Sequence, residues 1–402
     1  TTVGEIVAWV IGWDLILEML MAGSVVSKYW GVYLNQFFEL IGWNINTNIA
    51  IGSFNFDLAP VIIVAFFTAL LVMGTKIGAR VDGALTILKI AIVVFIVVVG
   101  FFYIKAENFT PFIPPSEPAA STDGSGVSAV MEQPLWQWAT GMAPSIYGVT
   151  GIISGAALVF FAFLGFDVVA TASEETINPK KNVPLGIGVG LGLIIVLYTL
   201  VAIVTTGMVS YKDLAKQSDP SLAVAFKMVG ADWAAKIISL GIVIGMATVV
   251  MVLLLGLTRV VFAMSRDGLL PRGLSHTGKH GTPVRLQIIV GVVMALIAAC
   301  CNVGILSDMV NIGTLSAFTL VAISIPIMRK KRPDLERSFK IPGNPWVPIL
   351  IAIANLWLMV NLSVLTWIRF VVWLIVGFAI YFGYGYRHAR LGAGELEVAA
   401  QE

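Results

Sequence analysis

The chain has 402 residues, of which 58% are hydrophobic and only 12% are charged. Soluble domains carry about 25% charged residues, so this composition excludes an ordinary soluble enzyme. The net charge of +2 is too small to indicate a nucleic-acid partner. The composition instead predicts an all-α, polytopic membrane protein embedded in a lipid bilayer.

The residue types that usually bind metals or carry out catalysis are scarce and poorly spaced. The two cysteines, Cys300 and Cys301, are adjacent, and His276 and His280 lie in a polar loop that contains glycine. Neither pattern has the spacing of a zinc site. No nucleophile–base pair stands out in the apolar segments. We therefore expect no metal site, no cofactor and no enzymatic activity.

Apolar runs long enough to cross a hydrocarbon core recur along the whole chain. Together they predict about ten membrane spans, at residues 5–27, 59–75, 84–105, 149–172, 185–208, 235–264, 285–303, 307–328, 346–366 and 369–387.

The connections between these spans alternate in charge. Lysine and arginine are concentrated after the second, fourth, sixth, eighth and tenth spans, whereas residues 106–148 contain acids and no Lys or Arg. Basic connections favour the cytoplasmic side, so both termini are predicted to be cytoplasmic. Residues 106–148 then form an external loop, with a short surface helix near Trp136 and Trp138.

The fourth span begins as a membrane helix but soon contains Gly165 and Asp167. Irregular backbone at membrane depth is tolerated only where it is buried in protein or lines a cavity. One interpretation is a broken helix that binds a small polar substrate, as in many secondary transporters. The alternative is that Gly165 only permits close helix packing, while Asp167 lies at the cytoplasmic interface.

Three ionisable residues fall inside predicted spans. Asp14 and Glu18 are four residues apart, hence on one helix face, and Lys89 lies within the third span. Two acids facing lipid would be costly, so either both are functional or one pairs with a cation for structural reasons. Lys89 either extends to the interface or acts as a buried amine that exchanges a proton.

Two further patterns concern helix packing. Gly186, Gly188, Gly190 and Gly192 alternate along the fifth span, a spacing that favours close helix packing. In the eighth span, the segment Asn311-Ile312-Gly313-Thr314 is polar and predicts a place where that helix can break.

Several motifs in this order resemble one transporter family. The segments FFAFLGFD (160–167) with SEETINPKKNVPLGI, SRDGLLP (265–271), NIGTLSAF (311–318), RKKRPDLERSFKIPGNPWVP (329–348) and GWDLILE (12–18) are similar to amino acid–polyamine–organocation transporters of the cationic amino acid transporter branch. The resemblance extends from Thr1 to about Arg390.

The resemblance implies a LeuT-like fold with a five-plus-five inverted repeat and two further helices. The ten spans then correspond to helices three to twelve of the family. Residues 1–402 form one transporter domain, with 1–105 as the remainder of the first repeat, 149–328 as the second repeat and 346–387 as the two additional helices. The family's first helix, which binds the substrate carboxylate, has no counterpart here, so these residues alone are expected to be truncated and not to transport.

The resemblance also implies roles for individual residues. Phe160, Phe161, Phe163, Gly165 and Asp167 match the broken sixth helix, whose carbonyls bind the substrate ammonium and whose aromatic side chain gates the site. Lys89 matches the lysine of proton-coupled members, with Asp14 or Glu18 as additional coupling groups, and Met251 matches a position at the side-chain end of the binding site.

The resulting hypothesis is a permease that carries L-amino acids across the cytoplasmic membrane by alternating access, with the proton as coupling ion. The alternatives are an amino acid exchanger, a carrier of cationic amino acids, or an amino acid sensor that does not transport. The oligomeric state, a monomer or a larger assembly, is left open.

Overall fold

A computed structural model describes residues 5–43, 54–74, 79–118, 130–143, 145–166, 176–217, 220–276, 282–331 and 343–389, with 45, 47–51, 333 and 341 between them. The described chain is largely helical. Its ten long apolar helices are α1 (Glu5–Leu40), α2 (Leu58–Val72), α3 (Ala79–Phe101), α4 (Gly148–Val159), α5 (Pro179–Met208), α6 (Asp232–Arg266), α7 (Val284–Cys300), α8 (Val303–Lys331), α9 (Trp346–Val360) and α10 (Val364–Ile380).

Six helical stretches of the described chain are long and apolar enough to cross a membrane, one of them continuing past α10 to His388, and the remaining four helices are shorter but also apolar. The ten helices coincide with the ten predicted spans, which confirms an all-α, polytopic membrane protein. Two helices differ most from the prediction: α1 continues to Leu40 instead of ending near residue 27, and the fourth α-helix ends at Val159 instead of continuing to residue 172.

Local capping explains several helix starts. The Asp57 side chain accepts a hydrogen bond from the Ala59 backbone N–H at the start of α2, at 3.2 Å. Ser363 does the same for the Thr366 backbone N–H at the start of α10, also at 3.2 Å. These side chains satisfy amides that the first turn of a helix leaves unpaired.

Short elements connect the long helices. Strands β1 (Asn48–Ile51) and β2 (Phe54–Asp57) form an antiparallel hairpin, and β3 (Glu117–Pro118) pairs with β4 (Ser145–Ile146). Short helices span Leu135–Thr140, Tyr211–Ala215, Leu222–Met228 and Tyr386–His388, with 3-10 turns at Ala106–Phe109, Phe160–Phe163 and Arg272–Ser275 and a π-helical turn at Tyr381–Gly385. The helix expected near Trp136 and Trp138 is therefore present.

Helix α1 is central, because it packs along α6 and α8 and also meets α2 and α7. Glycines allow the closest approaches. A Cβ atom on Gly31 would lie 2.7 Å from the Ala59 Cβ of α2, and one on Gly313 of α8 would lie 3.1 Å from Leu17 of α1. Larger side chains at these positions would force the helices apart.

The connections lie at two opposite ends of the bundle. At one end the Tyr381 hydroxyl donates to Glu5 at 3.0 Å, so the described parts nearest the two termini meet there. At the other end, which we call the hairpin end, Lys227 pairs with Glu39 at 2.9 Å. The alternation of basic connections and the cytoplasmic placement of both termini stay predictions.

Two packing predictions require correction. A Cβ atom on Gly186, Gly188, Gly190 or Gly192 would meet no described atom within 4 Å, so these glycines of α5 do not mediate close packing in the described part of the chain. The segment 311–314 does not break α8, which continues as a helix from Val303 to Lys331. All four residues of the segment are buried, and Gly313 lies against Leu17 of α1.

Candidate functional site

The helix interruption predicted in the fourth span is present, and it begins earlier than the glycine. Helix α4 ends at Val159, and a 3-10 turn follows from Phe160 to Phe163. Leu164 is then extended, and Gly165 has a φ of +118°. That backbone conformation strains any residue with a Cβ atom, which explains the glycine. Asp167, like Glu174 and Glu175, lies outside the described residues.

Side chains from two other helices compensate for the interrupted hydrogen-bond ladder. Asn311 Nδ2 of α8 donates to the Leu158 carbonyl at 2.9 Å. The Tyr198 hydroxyl of α5 donates to the Ala162 carbonyl at 3.0 Å. In a continuous α-helix these carbonyls would accept from backbone amides four residues later. An unsatisfied carbonyl in an apolar environment is costly, so these two bonds stabilise the interruption.

The aromatic residues of the interruption contact three different helices. The Phe160 ring lies 6.2 Å from that of Phe318 on α8, and the Phe163 ring lies 5.3 Å from that of Tyr198 on α5. Phe161 packs against a cluster that contains Val25 of α1. The interruption is therefore seated between α1, α5 and α8.

The two acids of α1 face the interior of the bundle. Asp14 is fully buried and Glu18 is only 2% exposed. The Asp14 backbone carbonyl is 3.6 Å from the position of a Cβ on Gly313, so α8 covers this face closely. The Ser316 side chain of α8 interacts with the Asp14 carboxylate. The prediction that these acids avoid lipid is consistent with this placement.

Lys89 of α3 is half-buried and its side chain lies along α6. A Cβ atom on Gly245 would be 3.2 Å from Lys89 Cγ and 3.7 Å from Cε. The absence of a side chain at Gly245 therefore makes room for the lysine stem. Met251, one and a half turns further along α6, is partly buried against the main core cluster around α1, α2 and α7.

The interruption and the acids of α1 therefore both contact α8, whereas Lys89 lies between α3 and α6 and Met251 packs on the cluster of α1, α2 and α7. The hydrogen-bonding roles of Asn311 and Tyr198 were not predicted from the sequence. Asn311 was noted only as part of a polar segment, and no local pattern links either residue to the interruption.

Comparison with known proteins matches this chain to a family of membrane transporters. A family model described as Amino acid permease matches residues 1–383. The chain is 40% identical over 400 residues to Branched-chain amino acid permease BcaP of Bacillus subtilis (strain 168), covering 97% of this chain and 78% of that protein. It is 39% identical over 398 residues to Methylthioribose transporter of the same organism, with the same coverage of 97% and 78%.

A plant relative extends the comparison. The chain is 34% identical over 341 residues to Cationic amino acid transporter 3, mitochondrial, of Arabidopsis thaliana, covering 83% of this chain and 51% of that protein. With a family model that spans most of the chain and bacterial relatives matched over nearly all of it, the chain belongs to the amino acid permease family and is a multi-pass membrane transporter, not an enzyme.

Proposed function

We propose that this protein is a secondary transporter that carries L-amino acids across the cytoplasmic membrane together with protons, by alternating access. The observation that carries the proposal is the interruption at Phe160–Gly165, stabilised by hydrogen bonds from Asn311 and Tyr198. Interrupted helices between packed bundles are the usual substrate sites of secondary transporters. By the same analogy we propose a LeuT-like inverted repeat and cytoplasmic termini, the latter from the basic connections.

The interruption offers hydrogen-bond acceptors to a substrate. Backbone that leaves the helical conformation exposes carbonyls, and a carbonyl binds an ammonium group well where water is excluded. Phe160, Phe161 and Phe163 surround this backbone with apolar surface. We propose that the carbonyls of this segment bind the α-ammonium group and that one of the phenylalanines gates access, with Met251 limiting the length of the side chain.

Proton coupling is proposed from the ionisable groups nearby. Burying an ionised carboxylate away from a cation costs several kcal/mol, and Asp14 is fully buried with the neutral Ser316 side chain beside it. Protonation removes that cost. Lys89, half-buried along Gly245, is a second group whose charge changes with proton exchange. We propose Lys89 as the main coupling residue, with Asp14 or Glu18 assisting.

The names of the relatives define the substrates to test. Two bacterial relatives, from Bacillus subtilis and Lactococcus lactis, are named branched-chain amino acid permeases. We therefore propose branched-chain amino acids as the substrates, with cationic amino acids as the second candidate because a plant relative is named for them. A third relative is named for methylthioribose. That compound has no ammonium group, so if the carbonyls of the interruption bind an ammonium group, it should compete poorly with leucine.

The test is uptake of radiolabelled L-leucine into proteoliposomes that contain the full-length protein. An inward proton gradient should accelerate uptake, a proton ionophore should abolish the acceleration, and excess unlabelled L-isoleucine should compete better than L-arginine or methylthioribose. Exchange that proceeds only with internal amino acid would favour an exchanger. Thermal stabilisation by leucine without any flux would favour a sensor and contradict the proposal.

A further inference from the structure

A cavity of about 770 Å³ opens at the hairpin end, apart from the interruption. Its wall combines three regions that are distant in sequence: the loop and short helix around residues 132–137, the start of α4, and the start of α8 with the α9–α10 connection. Leu158, whose carbonyl Asn311 binds, lies at its edge nearest the interruption. The volume is sufficient for an amino acid or a small amine.

Hydrogen bonds hold the wall in place without a ligand. The Leu135 backbone N–H donates to the Leu362 carbonyl at 3.0 Å, and the Val364 N–H donates to the Gln133 carbonyl at 3.1 Å. Trp136 Nε1 donates to Asn361 Oδ1 at 2.9 Å. The loop and the α9–α10 connection therefore form one preorganised wall, and a ligand would not have to order it.

The charged groups of the described lining are both acidic. Asp308 at the start of α8 and Glu132 at the rim line the cavity, and no lysine or arginine belongs to its described wall. The Thr366 hydroxyl donates to Asp308 Oδ2 at 2.9 Å, which fixes that carboxylate. Arg369 also interacts with Asp308, but it is not part of the lining. A concave site with two acids attracts cations.

The buried amides of the wall have unused acceptors. Gln137 is 1% exposed and Gln133 is 7% exposed. The Oε1 atom of each has no hydrogen-bond partner among the described residues, although Gln137 Nε2 donates to the Ser145 hydroxyl at 3.3 Å. A buried carbonyl oxygen without a donor is costly, so a ligand that brings N–H groups would stabilise this wall.

We propose that this cavity is a second binding site, which takes the primary ammonium group of an amino acid or amine before it reaches the interruption. Asp308 supplies the charge, Glu132 adds to the attraction at the rim, and the amide oxygens of Gln133 and Gln137 accept the ammonium hydrogens. The inference rests on the proposed transport function for its physiological role, but ammonium binding itself does not.

A cysteine reporter tests the site without measuring transport. In the full-length protein with Cys300 and Cys301 replaced by serine, Ser154→Cys places a thiol in the cavity wall, and Thr140→Cys places one on the exposed face of the short helix as a control. The rates of modification by cationic, anionic and neutral methanethiosulfonate reagents are then compared. We expect the cationic reagent to be favoured about tenfold at residue 154 relative to residue 140.

Ligand protection identifies the chemical group. L-Leucine and n-butylamine should slow modification at residue 154, whereas N-acetyl-L-leucine, which lacks the ammonium group, and sodium ions should not. Asp308→Asn should remove both the charge preference and the protection, while modification by the neutral reagent should stay unchanged if the cavity is intact. Phe161→Ala, in the interruption, should leave protection in place.

Equal rates for the two charged reagents, equal protection by N-acetyl-L-leucine, or protection that survives Asp308→Asn would overturn the assignment. Protection without any leucine uptake would refute the transport proposal while supporting the ammonium site. Uptake without protection would refute the ammonium site alone.

Discussion

Helices α1 and α8 differ from α3 and α5 in a way that apolar composition alone does not predict. In their most apolar stretches, 56% of α1 and 50% of α8 are buried, against 11% of α3 and 6% of α5. Yet α3 and α5 are the more apolar pair. The difference arises because polar residues such as Asp14, Glu18 and Asn311 are tolerated only in the interior. The rule does not extend to α6, which is as apolar as α3 and yet 44% buried, so lower apolar content distinguishes only helices whose interior face carries polar residues.

The strongest test of this comparison exchanges one glycine in each region for leucine. In α1, Gly31→Leu would push a side chain into Ala59, whose Cβ is 2.7 Å from the new Cβ position. We expect destabilisation by about 1–3 kcal/mol, or failure to fold, because neither helix backbone can move easily. In α5, Gly190→Leu meets no described atom within 4 Å and should change stability by less than about 0.5 kcal/mol.

The measurement is thermal unfolding of both purified variants in detergent, read as the fraction that remains monodisperse after heating. If Gly190→Leu destabilised the protein as much as Gly31→Leu, the distinction between the two helices would be wrong.

A second test compares a buried asparagine, Asn311, with an asparagine that makes only an exposed hydrogen bond, Asn302. Asn311→Ala removes the side-chain donor to the Leu158 carbonyl, and the loss of that hydrogen bond costs about 0.5–1.5 kcal/mol. Because the carbonyl belongs to the end of α4, we expect leucine uptake to fall at least about tenfold. Asn302→Ala removes only an exposed bond to the Gly304 N–H, at 2.9 Å.

The measurement is leucine uptake by the two variants, normalised to the amount of folded protein. Comparable uptake by Asn311→Ala and Asn302→Ala would show that the bond to Leu158 does not support the substrate site.

The smallest effect is expected at an exposed ion pair of the hairpin end. Lys212 Nζ lies 2.8 Å from Glu117 Oε1, and the hydrogen bond and charge of Glu117 raise the pKa of Lys212 above its usual 10.5. Since the folded pKa is the higher one, the pair contributes its full stability below pH 10.5 and loses it as pH rises through the raised pKa.

Water screens an exposed pair, so Lys212→Met should lower the melting temperature only slightly at pH 8. The difference from the wild type should vanish at a pH above the raised pKa of Lys212. A melting-temperature difference that persisted unchanged at that alkaline pH would mean that the lysine acts through packing instead of charge.

Much of the fold could be predicted from the sequence because it depends on local composition. The ten apolar runs were sufficient to locate the helices. The end of α4 at Val159 could not be predicted, because the donors that compensate for it lie 153 and 36 residues away, at Asn311 and Tyr198. Local sequence carries no record of such long-range hydrogen bonds.

Some residues of the candidate site were identified from the sequence, whereas features that depend on contacts between distant segments were not. Gly165 was identified because glycine interrupts an apolar span there, and Asp14 and Glu18 because acids are rare in spans. The glycines of α5 were misinterpreted because their spacing is the same whether or not another helix packs on them. The acidic cavity was missed because its wall assembles only when the loop at residues 132–137 meets the α9–α10 connection.

The measurement that addresses the central claim most directly is proton-driven leucine uptake by Lys89→Ala, with Lys236→Ala, an exposed lysine of α6, as the matched control. The account predicts that Lys89→Ala folds normally and retains leucine exchange, but loses acceleration by an inward proton gradient, whereas Lys236→Ala behaves like the wild type. Uptake that keeps its full pH dependence in Lys89→Ala would contradict it.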